Sequence, residues 1–366
     1  MRILIAPDKF KGTLSAEQVC SILSDAWRES GHDIISCPLA DGGEGTARIL
    51  TGACGGQMMR AKVHDALMRP VSAEYGLSPD GKTAFLELSS ASGLWRLNPE
   101  ERNPERTTTY GTGELIRSAS EAGAVRIMIG CGGSATNDGG LGMAQALGFR
   151  FMDESEKEVP PVITEVHRIR RIVSPDVLVS GRATFEVISD VENILTGTGG
   201  ASATFGPQKG ADPDMVVRLD RQLTLWGGLL DEYSGTDVSE LRGAGAGGGF
   251  TAGAVALLKA STRSGIDVVM EATGLEDRIR DADLVITGEG QLDDQSRQGK
   301  AVSGVARLCR KWNKPLRAVC GRNLLDGHAL RDIGIQRVIS LSEVAGYAAW
   351  TDPSGSLRTA AAGLLD

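Results

Sequence analysis

The residues best equipped for chemistry lie in the run 130–140, Gly-Cys-Gly-Gly-Ser-Ala-Thr-Asn-Asp-Gly-Gly. Its five glycines let backbone approach a ligand closely. Gly133, Ser134, Thr136 and Asn137 offer donors and Asp138 a carboxylate where a helix should begin, a place that favours anions. The run predicts a cradle for a phosphorylated ligand, with Asp138 a candidate metal ligand. The plain alternative is a sharp strand-to-helix turn with ordinary caps.

Five other loops carry charge in a comparable setting. Asp8-Lys9-Phe-Lys11-Gly-Thr-Leu-Ser sets two lysines against a carboxylate, suited to neutralising phosphate or a substrate acid. Asp41-Gly42-Gly43-Glu44-Gly-Thr holds two carboxylates in a glycine-rich turn, apt for Mg²⁺ or for a general base. Ser189-Asp190-Val-Glu-Asn193 puts a carboxylate beside an amide, and Phe-Gly-Pro-Gln-Lys209-Gly holds a lysine in a rigid turn. The run 288–300 carries Gly288, Glu289, Gly290, Asp293 and Lys300, with Asp293 suited to Mg²⁺ and Lys300 to phosphate. Taken singly, each reads equally well as a solvated loop or a helix cap. Gly-Ala-Gly-Ala-Gly-Gly at 243–248 fits G-x-G-x-x-G literally, but no buried strand precedes it. It is expected to be a flexible hinge or a place of close backbone approach. No Walker A pattern is present.

These loops need strands to present them. Residues 3–6 and 34–39 read as buried strands, and 283–288, 316–320 and 337–341 as further ones near the other chain end. Between the first two, a helix opens at Ser15. Ser15 and Gln18 form a capping box, Leu14 and Val19 a hydrophobic staple, and Gly31 is the expected stop. Helices are expected over about 44–50, over 301–312, where Asn313 and Pro315 end the run, and from Leu357 onward. The strand–helix alternation predicts a parallel sheet, whose carboxyl edge is where ligands bind. The middle of the chain differs: strands 73–77 and 83–88 flank Pro-Asp-Gly as a hairpin, 185–188 is another strand, and glycine-rich loops follow. The expected fold is α/β. A Rossmann-like parallel-sheet domain comes from both chain ends (1–62 plus 283–366), an inserted second α/β domain spans 63–282, and the ligand site is a cleft between them.

Composition excludes several classes. The 366 residues carry a net charge of −8, a poor match for a polyanion, so no nucleic-acid partner is expected. The basic run Arg168-Ile-Arg-Arg171 reads as a solvated surface segment. Six scattered cysteines and four isolated histidines form no zinc pattern. No stretch has the length of a membrane span and the first residues do not read as a signal peptide, so the expected setting is a reducing cytoplasm with free thiols.

Six runs occur in one order: Ala-Pro-Asp-Lys-Phe-Lys-Gly-Thr-Leu-Ser (6–15), Ala-Asp-Gly-Gly-Glu-Gly-Thr (40–46), Thr-Thr-Tyr-Gly-Thr-Gly-Glu-Leu-Ile (108–116), Gly-Gly-Ser-Ala-Thr-Asn-Asp-Gly-Gly (132–140), Phe-Gly-Pro-Gln-Lys-Gly-Ala (205–211) and Asp-Ala-Asp-Leu-Val-Ile-Thr-Gly-Glu-Gly (281–290). Together they make the chain resemble the type I glycerate kinases of bacteria. The resemblance implies a Rossmann-like domain with an inserted α/β domain and ATP-dependent phosphorylation of D-glycerate, usually at O2, with Mg²⁺. Gln291-Leu-Asp-Asp294 departs from the family's more usual Arg-Ile-Asp-Ser, and Ile194-Leu-Thr-Gly-Thr-Gly from its Asn-Pro-Leu-Cys-Gly type of run. The chain after Gly321 matches weakly.

On this reading the glycine-rich loops cradle phosphates and Lys11 or Lys300 offsets charge on the transferred group. Asp190 or Asp41 positions or deprotonates the hydroxyl, and Asp138 or Asp293 holds Mg²⁺. The rivals are a kinase for another small hydroxy acid and a non-catalytic sugar-acid-binding or regulatory protein of the same fold. Oligomeric state is left open.

Overall fold

The computed structural model describes residues 1–179, 181, 183–297 and 300–365. Gln298 and Gly299 of the 288–300 run, and the last residue of the expected first domain, Asp366, lie outside the described residues. In chain order the strands are β1 (Arg2–Pro7), β2 (Asp33–Ser36), β3 (Gln57–His64), β4 (Pro70–Leu77), β5 (Thr83–Glu87), β6 (Arg126–Gly130), β7 (Arg150–Met152), β8 (Arg171–Val173), β9 (Thr184–Ile188), β10 (Ser261–Arg263), β11 (Leu284–Leu292), β12 (Leu316–Asn323) and β13 (Arg337–Ser340).

The chain forms two compact units, one of Met1–Asp41 with Ser264–Asp366 and one of Gly42–Arg263. The breaks therefore fall at 41/42 and 263/264, not at the expected 62/63 and 282/283. The reason is packing. The helix Thr46–Ala53 lies on β4 and β5, so it belongs with the second unit, while the helices Gly265–Thr273 and Leu275–Asp281 pack with the helix Ala301–Lys311 in the first.

The first unit is an open five-stranded sheet, order β13-β12-β11-β1-β2, parallel throughout. Numbered within the unit this is 2-1-3-4-5, a doubly wound order whose topological switch point falls between β1 and β11. Ile3, Ile5, Leu284 and Ile286 join one core cluster with Val19 and Leu23 of the helix Ala16–Ala26 and Leu357 of Pro353–Ala361. Leu4 and Val285, alternating with them, are equally buried. The Ser15 capping box is present: its Oγ accepts from Gln18 N at 3.2 Å while Gln18 Oε1 accepts from Ser15 N at 2.8 Å. The helix stops earlier than expected, at Ala26 with Trp27 as its C-cap. Gly31, with φ +70°, shapes the turn beyond. The tail helix likewise begins at Pro353, ahead of Leu357, because Asp352 caps it through Gly355 N.

The second unit holds a mixed six-stranded sheet, order β10-β9-β6-β5-β4-β3, and a small antiparallel pair, β7-β8. The expected hairpin is β4–β5, antiparallel, turning through Gly81 at φ +67°. β5, β6, β9 and β10 run parallel, so their carboxyl ends share one edge. The core packs Leu86, Ile129 and Val187 of these strands with Trp226 and Phe250.

Candidate active site

The carboxyl edge of the first unit's sheet holds a cleft of about 380 Å³ at the switch point, the size of a small-molecule site. Asp8, Lys9 and Lys11 reach it from the loop after β1, Asp41 from beyond β2, Glu289, Gly290 and Asp293 from the end of β11, and Lys300 from the start of the helix Ala301–Lys311. Eight expected site residues thus line one cavity. Gly288 lies beneath it in β11, where its carbonyl accepts from Asp8 N at 2.8 Å.

Apolar anchors shape the first loop. Phe10 and Leu14 are buried in the core, Phe10 N donates to Leu14 O at 2.8 Å, and Gly12 turns the chain at φ +80°. The turn leaves Lys11 exposed at its tip and Asp8 at its base. Gly290 lets the first loop pack closely: a Cβ there would stand 3.0 Å from Lys11 N and 3.3 Å from Phe10 Cα, so the Phe10–Lys11 backbone would have to give by a few tenths of an ångström.

The charges interlock. Lys9 Nζ lies 3.1 Å from Asp41 Oδ1 and 3.6 Å from Asp8 Oδ1, bridging the two carboxylates. Burial pushes Asp8 up, the neighbouring Asp41 adds to this, and Lys9 only partly offsets it. Asp41 goes the other way: burial alone would raise it, but Lys9 and then Lys300 outweigh burial and hold it below the ordinary carboxylate range. Glu289 is 8% exposed and its Oε1 has no hydrogen-bond partner among the described residues. Burial pushes its carboxyl up to about 7, with Ser296 and Lys300 opposing and Asp8 and Asp293 assisting. Gln291, where the family more often has arginine, donates Nε2 to Asp293 Oδ2 at 2.9 Å. It thus holds the acid next to it.

The second unit collects the remaining expected residues at the carboxyl edge of its own sheet. Gly42 packs so closely on the end of β9 that a Cβ would stand 2.8 Å from Ile188 O, and its carbonyl accepts from Gly132 N at 3.2 Å. A Cβ on Gly132 would fall 2.5 Å from Gly43 Cα. Glu44 is exposed in the same turn, and Asp190, half-buried, follows β9 by two residues. Glu87, at the end of β5, accepts from Ala47 N at 2.8 Å and so pins the helix Thr46–Ala53. Sequence reasoning missed Glu87; an acid inside the apolar run Ala-Phe-Leu-Glu-Leu was the available signal.

The 130–140 run links β6 to the helix Leu141–Ala146 as expected, but its polar side chains point into protein. Asp138 is 1% exposed. Its oxygens accept from Thr109 N (2.7 Å), Thr109 Oγ1 (2.9 Å), Gly140 N (3.2 Å) and Gly142 N (3.2 Å). Burial still leaves its carboxyl raised. These four bonds clamp the start of the helix. Asn137 is fully buried, donates Nδ2 to Ser202 Oγ at 3.0 Å, and has an Oδ1 with no partner among the described residues. Lys209, expected in a rigid turn as a ligand-binding residue, is 2% exposed and donates Nζ to Ser134 Oγ (3.0 Å) and Thr136 O (2.7 Å). Burial lowers its ammonium to about 8 against the pull of Asp138. The 243–248 glycines bring backbone close to backbone, since a Cβ on Gly248 would lie 2.0 Å from Thr136 O. Gly133, at φ +74°, lets the run turn and offers its carbonyl to Leu94 N at 2.9 Å.

Fold and site together define a class: an α/β protein with interleaved lysines and carboxylates at the switch point of an open parallel sheet, the furniture of a small-molecule phosphotransferase. The sequence pattern of the glycerate kinase family matches residues 3–365. The chain is 42% identical to a glycerate kinase of Bacillus subtilis (strain 168), over 93% of this chain and 90% of that one. It is equally 42% identical, with the same coverage of both chains, to a glycerate 2-kinase of Escherichia coli (strain K12). A crystal structure of a Salmonella typhimurium LT2 protein provisionally named glycerate kinase 2 superposes with a TM-score of 0.82 at 41% identity, covering 99% of this chain and 96% of that one. The chain belongs to the glycerate kinase family, and a kinase family implies ATP as the phosphoryl donor.

Proposed function

We propose that this protein phosphorylates D-glycerate with ATP, at O2, giving 2-phosphoglycerate and ADP. The observation that carries the reading is the end-to-end likeness to glycerate kinases, one of them a glycerate 2-kinase. The first unit's cleft supports it chemically. Phosphoryl transfer asks a protein mainly for positioning and for charge that matches the transferred group. Lys11, exposed at its loop tip, and Lys300, at a helix start, offset phosphate charge. Asp41, kept ionised by Lys9 and Lys300, fixes that lysine pattern. To position and deprotonate the glycerate hydroxyl we assign Asp190, a half-buried carboxylate just beyond β9, with Asp41 the alternative.

Among the described residues, no group of three or more His, Cys, Asp or Glu side chains could hold a metal alone. The carboxylates lining the cleft, Asp293 among them, fit Mg²⁺ in its usual mode, held by one or two carboxylates together with nucleotide phosphates and water. Asp293 at the cleft is the protein ligand we assign. Bound there, the ion would neutralise charge on the phosphates. Asp138 we assign to the loop framework.

No helix among the described residues is long and apolar enough to cross a membrane, and all six cysteines are free. Free thiols support a reducing, cytoplasmic setting.

Coupled ADP-release assays with D-glycerate, tartronate and related acids test the activity, and phosphorus NMR of the product tests its position. The expected result is ADP release with D-glycerate and a phosphomonoester on C2. Release only with another acid makes the protein a kinase of that acid. No release with any acid, together with a thermal shift by one of them, makes it a binder. Asp190→Asn should lower kcat by about 10²–10⁴-fold, and near-wild-type turnover in both Asp190→Asn and Asp41→Asn would remove the base assignment.

A further inference from the structure

One wall of the cleft is left unused by the phosphoryl chemistry. Beside Lys11 and Lys300 it is lined by Leu341, Ala349 and Trp350. Leu341 and Ala349 are buried, but Trp350 is 56% exposed. The chain has five tryptophans. Trp27, Trp95, Trp226 and Trp312 each donate the indole N–H to a protein oxygen, at 3.1, 2.9, 2.9 and 3.0 Å. Trp350 makes no such bond among the described residues, which leaves its N–H open to solvent or to a ligand.

The local chain places this residue at the cleft. Gly346 turns at φ 57°, ψ −128°, and the short helix Ala348–Thr351 follows. Asp352 then caps the next helix through Gly355 N at 2.9 Å. Between two fixed points, Ala349 packs into the core and Trp350 is left at the cleft. One cavity therefore joins an exposed aromatic surface with an unpartnered N–H to a group of lysines. Glycerate has no flat apolar face to match that surface. A purine nucleotide has both parts, a flat base at one end and phosphates at the other.

We propose that Trp350 is the platform on which the base of the nucleotide stacks, with the phosphates lying toward Lys11 and Lys300. The assignment rests on the kinase reading and deepens it. Stacking on an aromatic ring tolerates any base, since each has a π-face, so GTP should serve as well as ATP to within roughly ten-fold, unlike a site that reads the base edge by hydrogen bonds.

The test compares the wild-type chain with Trp350→Leu and Trp350→Phe. Nucleotide affinity is read by calorimetry with ATP and GTP, tryptophan quenching by ATP is recorded, and tripolyphosphate serves as the ligand without a base. Trp350→Leu should weaken ATP about 10- to 100-fold and lose the part of the quench that comes from Trp350. Trp350→Phe should recover most of the affinity, and tripolyphosphate should bind all three alike. In turnover, KM for ATP should rise far more than kcat falls, with KM for glycerate unchanged. Equal ATP affinity in wild type and Trp350→Leu, both folded by circular dichroism, overturns the platform alone. Equal loss of tripolyphosphate and ATP binding also overturns it, since the ring would then be acting on the loops and not on the base. A wild-type protein that binds no nucleotide overturns the kinase reading itself.

Discussion

Two buried ionisable groups, Glu289 and Lys209, carry the clearest residue-scale consequences. Glu289 is an acid that the folded protein keeps protonated up to about 7, against an ordinary 4.5. Between these values the folded protein holds a proton that the unfolded chain has released, so stability falls as pH rises through that window and the penalty is complete above it. Glu289→Gln removes the penalty. Thermal melts in chelator should show the variant gaining on wild type between about pH 5 and pH 8, by on the order of 3 kcal/mol at most, while its turnover drops. Lys209 has the opposite sign. Its ammonium titrates near 8 when folded and 10.5 when free, so above the lower value the unfolded chain binds the extra proton and stability rises with pH. Denaturant titrations should show wild type gaining on Lys209→Met by up to about 1.4 kcal/mol per pH unit across that window. The types and grouping of the cleft residues were legible in the sequence: Asp8, Lys9, Asp41, Glu289 and Lys300 all follow strand-like runs on one predicted edge. The inward turn of Lys209 and Asp138 was not. Both follow glycine-rich loops that look open in one dimension, and only the packing of Thr109, Ser134 and Thr136 around them shows that they are walled in. Trp350 left no signal at all, because a lone tryptophan in a helical tail looks like core.

At the scale of elements, glycines divide into those that admit close approach and those that merely occupy space. Gly248 stands at φ +72° with Thr136 O where a Cβ would go, and alanine there should cost about 2–5 kcal/mol in denaturant titrations. Gly228, exposed within the helix Pro213–Ser234, would meet nothing within 4 Å. Alanine there should stabilise by about 1 kcal/mol, measured in the same titration. Helix starts were easier to read than stops. Ser15 and Gln18 announce a start through two specific hydrogen bonds between near neighbours. The stop at Trp27 is set by the core packing of that indole and its bond to Ala361 O, 334 residues away. Unit borders failed to show for a similar reason: Thr46–Ala53 reads as the second helix of one alternating pattern, but its buried face fits β4 and β5.

For the whole molecule, each unit owns its core. The second unit's cluster runs from Val63 to Ala260, the first unit's from Ile3 to Trp27 and Leu284 to Leu364, and the two share no residue. Residues 42–263 expressed alone should therefore fold, with one cooperative thermal transition by circular dichroism; a featureless melt would show that this core does not suffice. The first unit has no such independence, and the position of β1 between β2 and β11 has a consequence for how the protein is made. During synthesis β1 emerges roughly 280 residues ahead of its neighbour β11, an interval that at about 5–20 residues per second lasts on the order of 15–55 s. Through that interval one side of an apolar strand is without its native neighbour, while the second unit is completed in between. The nascent chain should thus be a client of holding chaperones while β1 waits for β11, and ribosome-bound intermediates truncated before Leu284 should be protease-sensitive near Ile3 and resistant across the second unit.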